Sequence, residues 1–438
     1  VSTYKLGRLL YNRLIGEVAT LILLSSQAVF LLLQDVRTDT ILISVTVFAV
    51  WQSVSWHNHK RWLNLIGATF AIALAMMAKG PVGFLVPLCA VWFCLSGCGR
   101  LSEMFRWESL LFPVFILLFL SPMLYGLYTQ YDMQPDKAVT ILQSNGMHMG
   151  KNVSGIAFFF WEQALGHLSG DHLGTTKGDP FFFLHSFLWS FMPWALLFIM
   201  AFAARIRTVI SAMSVERKFP EMLTFFGFLI PFIVLSLFRY KMPQYIFVLY
   251  PFAAILVAQW MVSLSEESVP IKKGVLFFQS LIWLAFTVCG AALLFYVFEE
   301  ASIGLVLIWA LLSLLALYWF IWGKVMLLKV LFSGITIMLA FNLVMNAHFY
   351  PRLLHYQSGS EMAEFAHENN IDANELFFYY QFNFSLGLYM QDIIEIGNDD
   401  KAGERLRSGK RFFAIVGDRH LADLQNDFET KVVHTLKA

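Results

Sequence analysis

The chain has 438 residues, of which 58% are hydrophobic and only 14% are charged, and its mean hydropathy is +0.63. A soluble domain has roughly a quarter of its residues charged, so this composition indicates an integral membrane protein. The net charge of +1 argues against a protein that binds nucleic acid by electrostatic attraction.

All four cysteines fall in or beside apolar runs, and none lies in the two long polar regions, so no disulfide framework is predicted. They are Cys89, Cys94, Cys98 and Cys289. Cys94 and Cys98 lie one helical turn apart, but no His or Cys close to them in the sequence completes a metal-binding set.

About eleven apolar runs are long enough to form membrane-spanning helices, since a span needs about 20 residues. They cover residues 14–34, 38–56, 62–78, 81–97, 109–127, 181–204, 221–238, 244–262, 274–297, 303–322 and 325–346. Two pairs of runs are separated only by short segments, at residues 79–81 and 239–243, and each segment carries a cation and a proline. We expect the chain to turn back at the membrane interface at each of these hinges.

Basic residues are unevenly divided between alternate loops, and this asymmetry predicts the orientation of the spans. The richer loops, which we expect to be cytoplasmic, contain Lys5, Arg8, Arg13, Lys60, Arg61, Arg100, Arg106, Arg205, Arg207, Arg217, Lys218, Lys272, Lys273 and Lys324. The alternate loops should lie outside. An odd number of spans then places the C-terminal segment on the outer side of the membrane.

Two long polar regions interrupt the spans, and both fall on the predicted outer side. Residues 128–180 form a loop within a transmembrane domain of residues 1–346, and the aromatic stretch 156–161 is typical of a helix lying in the interface. Residues 347–438 are predicted to form a small extracytoplasmic α/β domain, because helical patterns alternate with short apolar runs. Its helices are expected at 358–369, 399–408 and 418–426, and its strands at 376–380, 393–396 and 412–416.

Ionisable residues near the ends of spans cluster on the predicted outer side, although they come from four separate parts of the sequence. They are Arg37, Asp39, Lys79, Glu162, His167, Asp171, His172, Lys177, Asp179, Arg239 and Lys241, accompanied by Tyr240 and Tyr245. Such groups cost several kcal/mol in a membrane and are therefore candidates for function. Cations beside apolar walls suit a lipid phosphate, and a carboxylate can activate an acceptor hydroxyl. The set predicts a pocket for sugar transfer from a polyprenyl phosphate.

Each of these residues also has a simpler interpretation when it is taken alone. Lys79 and Lys241 suit cations that extend their charge to the membrane interface. Asp39 suits the first turn of a helix, with Arg37 to balance its charge. Tyr245 is typical of an interfacial aromatic belt. The convergence of the whole set, rather than any one member, favours a functional site.

Seven stretches of the sequence match a family pattern in the same order. They cover residues 7–11, 37–42, 78–83, 160–163, 181–194, 240–245 and 250–251, and together they extend over roughly 250 residues. In these stretches the chain resembles bacterial membrane glycosyltransferases of the aminoarabinose-transferase and protein-mannosyltransferase-like group (families 39 and 83), which share the GT-C fold. The resemblance implies an α-helical polytopic membrane protein, and the C-terminal domain is only loosely similar to the family.

The resemblance also implies a reaction and a location. A glycosyl group would be transferred from a polyprenyl-phosphate sugar to a lipid, glycan or protein acceptor at the outer face of a bacterial inner membrane. The reaction would be inverting, and the use of a divalent metal is left open. From the matching motifs we predict Asp39 and Glu162 as catalytic residues, Lys79, Arg239, Lys241 and Tyr245 as donor phosphate-binding residues, and His172 as a metal ligand.

The match to the family begins near Val1, at the cytoplasmic link into the family's third span. We therefore expect two further spans upstream, with the outer loop that carries the family's principal catalytic carboxylate. Two other functions are open, namely a transporter or flippase of a lipid-linked sugar and a non-catalytic membrane subunit. A transporter is expected to place ionisable residues near the bilayer midplane and to show two related halves, and neither feature is found in the sequence.

Overall fold

A computed structural model describes residues 1–35, 37–137, 139–143, 146–162, 179–210, 215–264, 266, 268–298, 301–354, 358–381, 383–409 and 411–435. Most of these residues are helical. The helices are α1 (Ser2–Leu10), α2 (Arg13–Leu24), α3 (Gln27–Leu33), α4 (Thr38–His59), α5 (Trp62–Lys79), α6 (Val82–Gly97), α7 (Leu111–Leu127), α8 (Gly155–Ala157), α9 (Phe182–Ser190), α10 (Ala195–Ile210), α11 (Val215–Ser236), α12 (Tyr250–Ser263), α13 (Val269–Ala292), α14 (Ile303–Trp322), α15 (Met326–Val344), α16 (Tyr350–Leu353), α17 (Ser358–Glu368), α18 (Phe384–Met390), α19 (Asp399–Arg407) and α20 (Asp418–Asp427).

By length and apolar composition, eight helices of the described chain could each cross a membrane, and two bent pairs raise that number to ten. The bent pairs are α2 with α3, at 58°, and α9 with the first part of α10, at 117°. The helix α6 has only 16 residues, or about 24 Å, which is less than a bilayer core of about 30 Å. Each of the predicted runs contains a helix, so the prediction of a multi-pass helical membrane protein is confirmed, with run 81–97 shorter than a full span.

Both predicted hinges are breaks between helices. The helix α5 ends at Lys79 and α6 begins at Val82. Between them Gly80 has φ +62° and ψ −155°, a conformation that glycine adopts readily and other residues avoid. At the second hinge α11 ends at Ser236, and a 3-10 turn at Pro243–Leu249 leads into α12.

The helix α12 forms the centre of the membrane-spanning part. Its side chains from Tyr250 to Ala258 are almost completely buried on every face. A helix that is apolar all round is stable only when neighbours cover it completely, and α2, α10 and α11 pack against this one. The central helix thereby fixes the position of the turn Pro243–Leu249 that precedes it.

The chain divides into two compact units. The first comprises Val1–Cys289 and Ile308–Asn342, and the second comprises Gly290–Leu307 and Leu343–Ala438. The division assigns residues 290–307 to the second unit, whereas the sequence analysis assigned them to the transmembrane domain.

The second unit contains a three-stranded parallel sheet. Its strands are β3 (Leu376–Tyr379), β4 (Glu395–Gly397) and β5 (Phe413–Val416), in the order β4-β3-β5. The helices α17, α19 and α20 and all three strands lie where the sequence patterns predicted them. The seven-residue α18 was not predicted, because a short segment rich in aromatic residues shows no helical period.

The long polar loop 128–180 contains an antiparallel pair that was also not predicted, β1 (Val139–Gln143) with β2 (Gly146–Gly150). The predicted interfacial helix at 156–161 is a single turn of α8 followed by a π-type turn at Phe158–Glu162. Phe159 is buried within this turn and Trp161 is exposed, so the stretch is amphipathic as expected.

Candidate functional site

Asp39 and Lys79 form an ion pair where α4 begins and α5 ends. Asp39 lies in the first turn of α4, and Lys79 is the last residue of α5. A helix N-terminus favours an acidic side chain and a C-terminus favours a basic one. The start of α4 therefore stabilises the Asp39 carboxylate, and the end of α5 stabilises the Lys79 ammonium. Lys79 Nζ donates a hydrogen bond to Asp39 Oδ1, and Asp39 is only 5% exposed. The pair is therefore largely withdrawn from solvent.

The aromatic ring of Tyr245 forms the third side of this cluster. Lys79 Nζ lies 4.0 Å from the centroid of the Tyr245 ring, which is held in the turn Pro243–Leu249 that packs on α4. The Tyr240 ring lies 6.3 Å from it, centroid to centroid. The Lys79 ammonium is thus held by a carboxylate and by an aromatic face. A desolvated contact between a cation and an aromatic face contributes about 2 kcal/mol.

Lys241 comes from the same hinge but has a different partner. It is 4% exposed, and its Nζ donates a hydrogen bond of 2.6 Å to the main-chain carbonyl of Asp179, just before α9. An ammonium group has three donors, so this contact uses one of them. Burial lowers the pKa of Lys241, and the Asp179 carboxylate partly opposes that shift. Lys241 therefore loses its charge at a lower pH than an exposed lysine.

The remaining cations of the predicted pocket are less enclosed. Arg239 is exposed at the start of the second hinge. Arg37 is exposed and forms an ion pair with Asp35. The alternative interpretation, in which Arg37 balances Asp39, is therefore wrong, because Lys79 is the ion-pair partner of Asp39.

The opposite end of α4 carries a separate charged cluster. His57 Nε2 lies 3.3 Å from Glu103 Oε2 there. The helix has 22 residues and is therefore about 33 Å long, close to a bilayer core of about 30 Å. The Asp39–Lys79 pair and the His57–Glu103 pair thus lie near opposite ends of a helix that is about as long as a bilayer core is thick.

Two predicted site residues have no described side chain. Glu162 ends the turn Phe158–Glu162, but its side chain lies outside the described residues, as does the whole of His172. Among the residues that are described, no three His, Cys, Asp or Glu side chains group as a metal site. The metal-binding role of His172 stays a prediction.

A buried polar network was missed by the sequence analysis. Arg205 in α10 forms an ion pair with Glu221 in α11 and donates a hydrogen bond to Gln259 in α12. Tyr11, just after α1, donates a hydrogen bond of 3.0 Å to Glu221. The prediction that Arg205 lies in a loop was wrong, because α10 continues to Ile210 and Arg205 is buried in the protein. The one feature of the sequence that could have indicated this network is Glu221, an acidic residue at the start of an apolar run.

Replacing Glu221 by alanine is expected to destabilise the protein strongly. The change leaves the Arg205 guanidinium buried without its carboxylate, and breaking such a pair costs about 3–5 kcal/mol. Thermal unfolding in detergent measures the effect. The matched control is Glu364→Ala at an exposed site, where the free energy of unfolding is expected to change by about 0.5 kcal/mol or less. Equal unfolding temperatures for the two variants would show that the network does not stabilise the fold.

Known proteins match the chain through one family model and through solved structures. A family model described as dolichyl-phosphate-mannose-protein mannosyltransferase matches residues 1–125. No curated protein sequence matches the chain. The crystal structure of ArnT from Cupriavidus metallidurans bound to undecaprenyl phosphate is similar, with a TM-score of 0.74 at 14% identity, over 100% of this chain and 80% of that one. The apo structure of the same protein has a TM-score of 0.72 at 15% identity, over 99% of this chain and 79% of that one.

The structural similarity confirms the predicted fold. The chain is an α-helical polytopic membrane protein of GT-C type with a small C-terminal α/β region. The segment that matches the family model contains both Asp39 and Lys79, whereas Lys241 and Tyr245 lie beyond it.

Proposed function

We propose that the chain is a glycosyltransferase that transfers a sugar from a polyprenyl-phosphate donor to an acceptor at the outer face of the membrane. The observation that carries this proposal is the ion pair of buried Asp39 with half-buried Lys79 against the Tyr245 ring, together with the buried Lys241 of the second hinge. Cations that are partly or fully withdrawn from solvent at a span end suit a phosphate that must lie beside its own lipid tail. The family model over residues 1–125 and the fold shared with ArnT support the proposal.

The proposed reaction is a single displacement at the anomeric carbon of the sugar. The bond between that carbon and the phosphate oxygen breaks, and an acceptor hydroxyl forms the new bond from the opposite face and loses its proton. Negative charge develops on the departing lipid phosphate. Lys79 and Lys241 would stabilise that charge, which is where prearranged cations lower a barrier most. Glu162 remains the candidate proton acceptor on this chain, and Arg239 is a further candidate contact for the phosphate.

Asp39 is assigned in this proposal as a positioning residue for Lys79. An unpaired ammonium at this depth would be costly to bury, and the carboxylate keeps it protonated and fixed in direction. In this proposal Tyr245 acts on the phosphate site through its contact with Lys79. Its ring faces the Lys79 ammonium, so the ring and not the hydroxyl is expected to matter.

Tyr245→Phe and Tyr245→Leu separate these two roles of the tyrosine. The phenylalanine variant keeps the ring below Lys79 and is expected to retain most of the activity. The leucine variant removes a contact of about 2 kcal/mol and should lower kcat/KM for the donor by about 30-fold. Initial rates at varied donor concentration measure both. Equal losses in the two variants would instead assign the Tyr245 hydroxyl to the phosphate.

Binding of undecaprenyl phosphate to the purified protein tests the donor site directly. A ligand that binds only the folded state raises the thermal unfolding temperature. Undecaprenyl phosphate is expected to raise it, whereas undecaprenol, which lacks the phosphate, is expected to raise it much less. Lys79→Met should remove that difference, and Lys273→Met, an exposed cation of the other loop set, should keep it. Equal shifts for the two lipids would contradict a phosphate site.

The proposed location is a bacterial inner membrane, with the C-terminal unit on the outer side and a lipid, glycan or protein as acceptor. The excess of basic residues in alternate loops supports this orientation. A transporter of a lipid-linked sugar is less well supported. Its substrate site is expected near the bilayer midplane, whereas Asp39 and Lys79 lie at the ends of α4 and α5.

A further inference from the structure

Three sulfur atoms meet at the end of α6 that is far from the Asp39–Lys79 pair. Cys94 lies in the last turn of α6, Cys98 follows that helix, and Met222 lies in α11, which packs against α6. Cys98 Sγ donates a hydrogen bond to Met222 Sδ over 3.9 Å, and the Cys94 thiol lies close enough to the Cys98 thiol to interact with it. All three residues are buried, with 0%, 7% and 5% exposure for Cys94, Cys98 and Met222. The third sulfur is 124 positions away from Cys98, so the sequence alone did not reveal the cluster.

We infer that Cys94, Cys98 and Met222 form a binding site for Cu(I). Thiolate and thioether sulfurs select this soft monovalent ion. Zn²⁺ takes four ligands and draws them from thiolate, imidazole and carboxylate groups, so a site that includes a thioether does not suit it. An ion bound by three sulfurs in a plane at about 2.3 Å would hold them about 4.0 Å apart, which is close to the 3.9 Å between Cys98 Sγ and Met222 Sδ.

The surrounding residues allow the three sulfurs to converge. A β-carbon at Gly97 would overlap Met222 Sδ, so the absence of a side chain at Gly97 permits the thioether to approach the end of α6. The Cys94 thiol also donates to the Phe219 carbonyl, 3.2 Å away, which ties the same turn of α6 to the start of α11. Each thiol that coordinates the ion would lose its proton, as metal binding to cysteine requires.

Cys98 lies at the C-terminal end of α6 and is followed by Gly99, with φ +69°, where the chain turns into the loop towards α7. An ion bound there would join α6 to α11 and so would stabilise the first unit. This inference is independent of the proposed glycosyl transfer, because none of its residues belongs to the donor pocket.

Titration with Cu(I) tests the site. The parent variant carries Cys89→Ser and Cys289→Ser, which remove a buried and an exposed thiol outside the cluster. Under anaerobic reducing conditions, in competition with a chromogenic Cu(I) chelator, this parent is expected to bind one Cu(I) per chain. Cys98→Ser and Met222→Leu in the same background should each weaken binding by about tenfold or more. Gly97→Ala keeps every sulfur but displaces Met222, and it should weaken binding as well.

Two results would overturn the inference. One is a Met222→Leu variant, monodisperse in detergent, that binds Cu(I) as tightly as the parent. The other comes from X-ray absorption of the Cu(I)-loaded parent, which needs no further substitution. Three sulfur ligands at about 2.3 Å are expected, and two sulfurs or nitrogen and oxygen ligands would contradict the site.

Discussion

Asp39→Asn is expected to lower glycosyl transfer by about 100-fold or more, the usual cost of losing one prearranged electrostatic group in an active site. The asparagine keeps the shape of the side chain but removes the negative charge that pairs with Lys79. The ammonium then loses its fixed direction in a site where Asp39 is 5% exposed and water compensates little. Initial rates with a polyprenyl-phosphate sugar as donor measure the effect.

Two comparisons make the Asp39 result specific. Asp392→Asn removes an exposed carboxylate in the second unit and is expected to leave the rate unchanged. Lys79→Met should reduce transfer as much as Asp39→Asn, and the double variant should be no worse than either single one, because the two residues act as a unit. Additive losses in the double variant would show that Asp39 acts independently of Lys79.

Lys241→Ala is expected to lower kcat/KM for the donor by about 10- to 100-fold, since a hydrogen bond to a charged group contributes about 1.5–3 kcal/mol. The main effect should be on KM for the donor if Lys241 binds the phosphate equally in the ground state and the transition state. The wild-type KM should also rise at alkaline pH. The pKa of Lys241 is lowered by burial, so its charge is lost before that of an exposed lysine as the pH increases.

The control for Lys241 is Lys273→Ala, which removes an exposed lysine from the opposite loop set. Its KM for the donor should match that of the wild type. Turnover and KM unchanged in Lys241→Ala would remove this residue from the phosphate site and leave its bond to the Asp179 carbonyl as a purely structural contact.

Apolar run length and the hinge residues were sufficient to predict most of the membrane-spanning part. A span is a local property of about 20 residues, so each of the eleven runs could be recognised separately. The bends within the spans depend on packing and could not be predicted in this way. The 117° break between α9 and α10 falls at Pro193, within the run 181–204 that was predicted as one span.

The candidate site was predictable as a set of residues but not as a set of contacts. Motif order and topology brought Asp39, Lys79 and Tyr245 to one membrane face, and the structure brings these three into contact. Which group faces which depends on tertiary packing. The contact of the Tyr245 ring with Lys79 and the pairing of Arg205 with Glu221 were therefore not anticipated.

Transfer and transport of the donor are separated most directly by a polyprenyl-phosphate sugar that carries one label in the sugar and another in the phosphate. The protein in liposomes is supplied with this donor and, in separate reactions, with envelope lipid, glycan and protein fractions as acceptors. The proposed function predicts that the two labels separate, with the sugar on one acceptor and the phosphate on the lipid, and that Asp39→Asn slows this separation by about 100-fold. Labels that stay together while the donor crosses the bilayer would contradict glycosyl transfer.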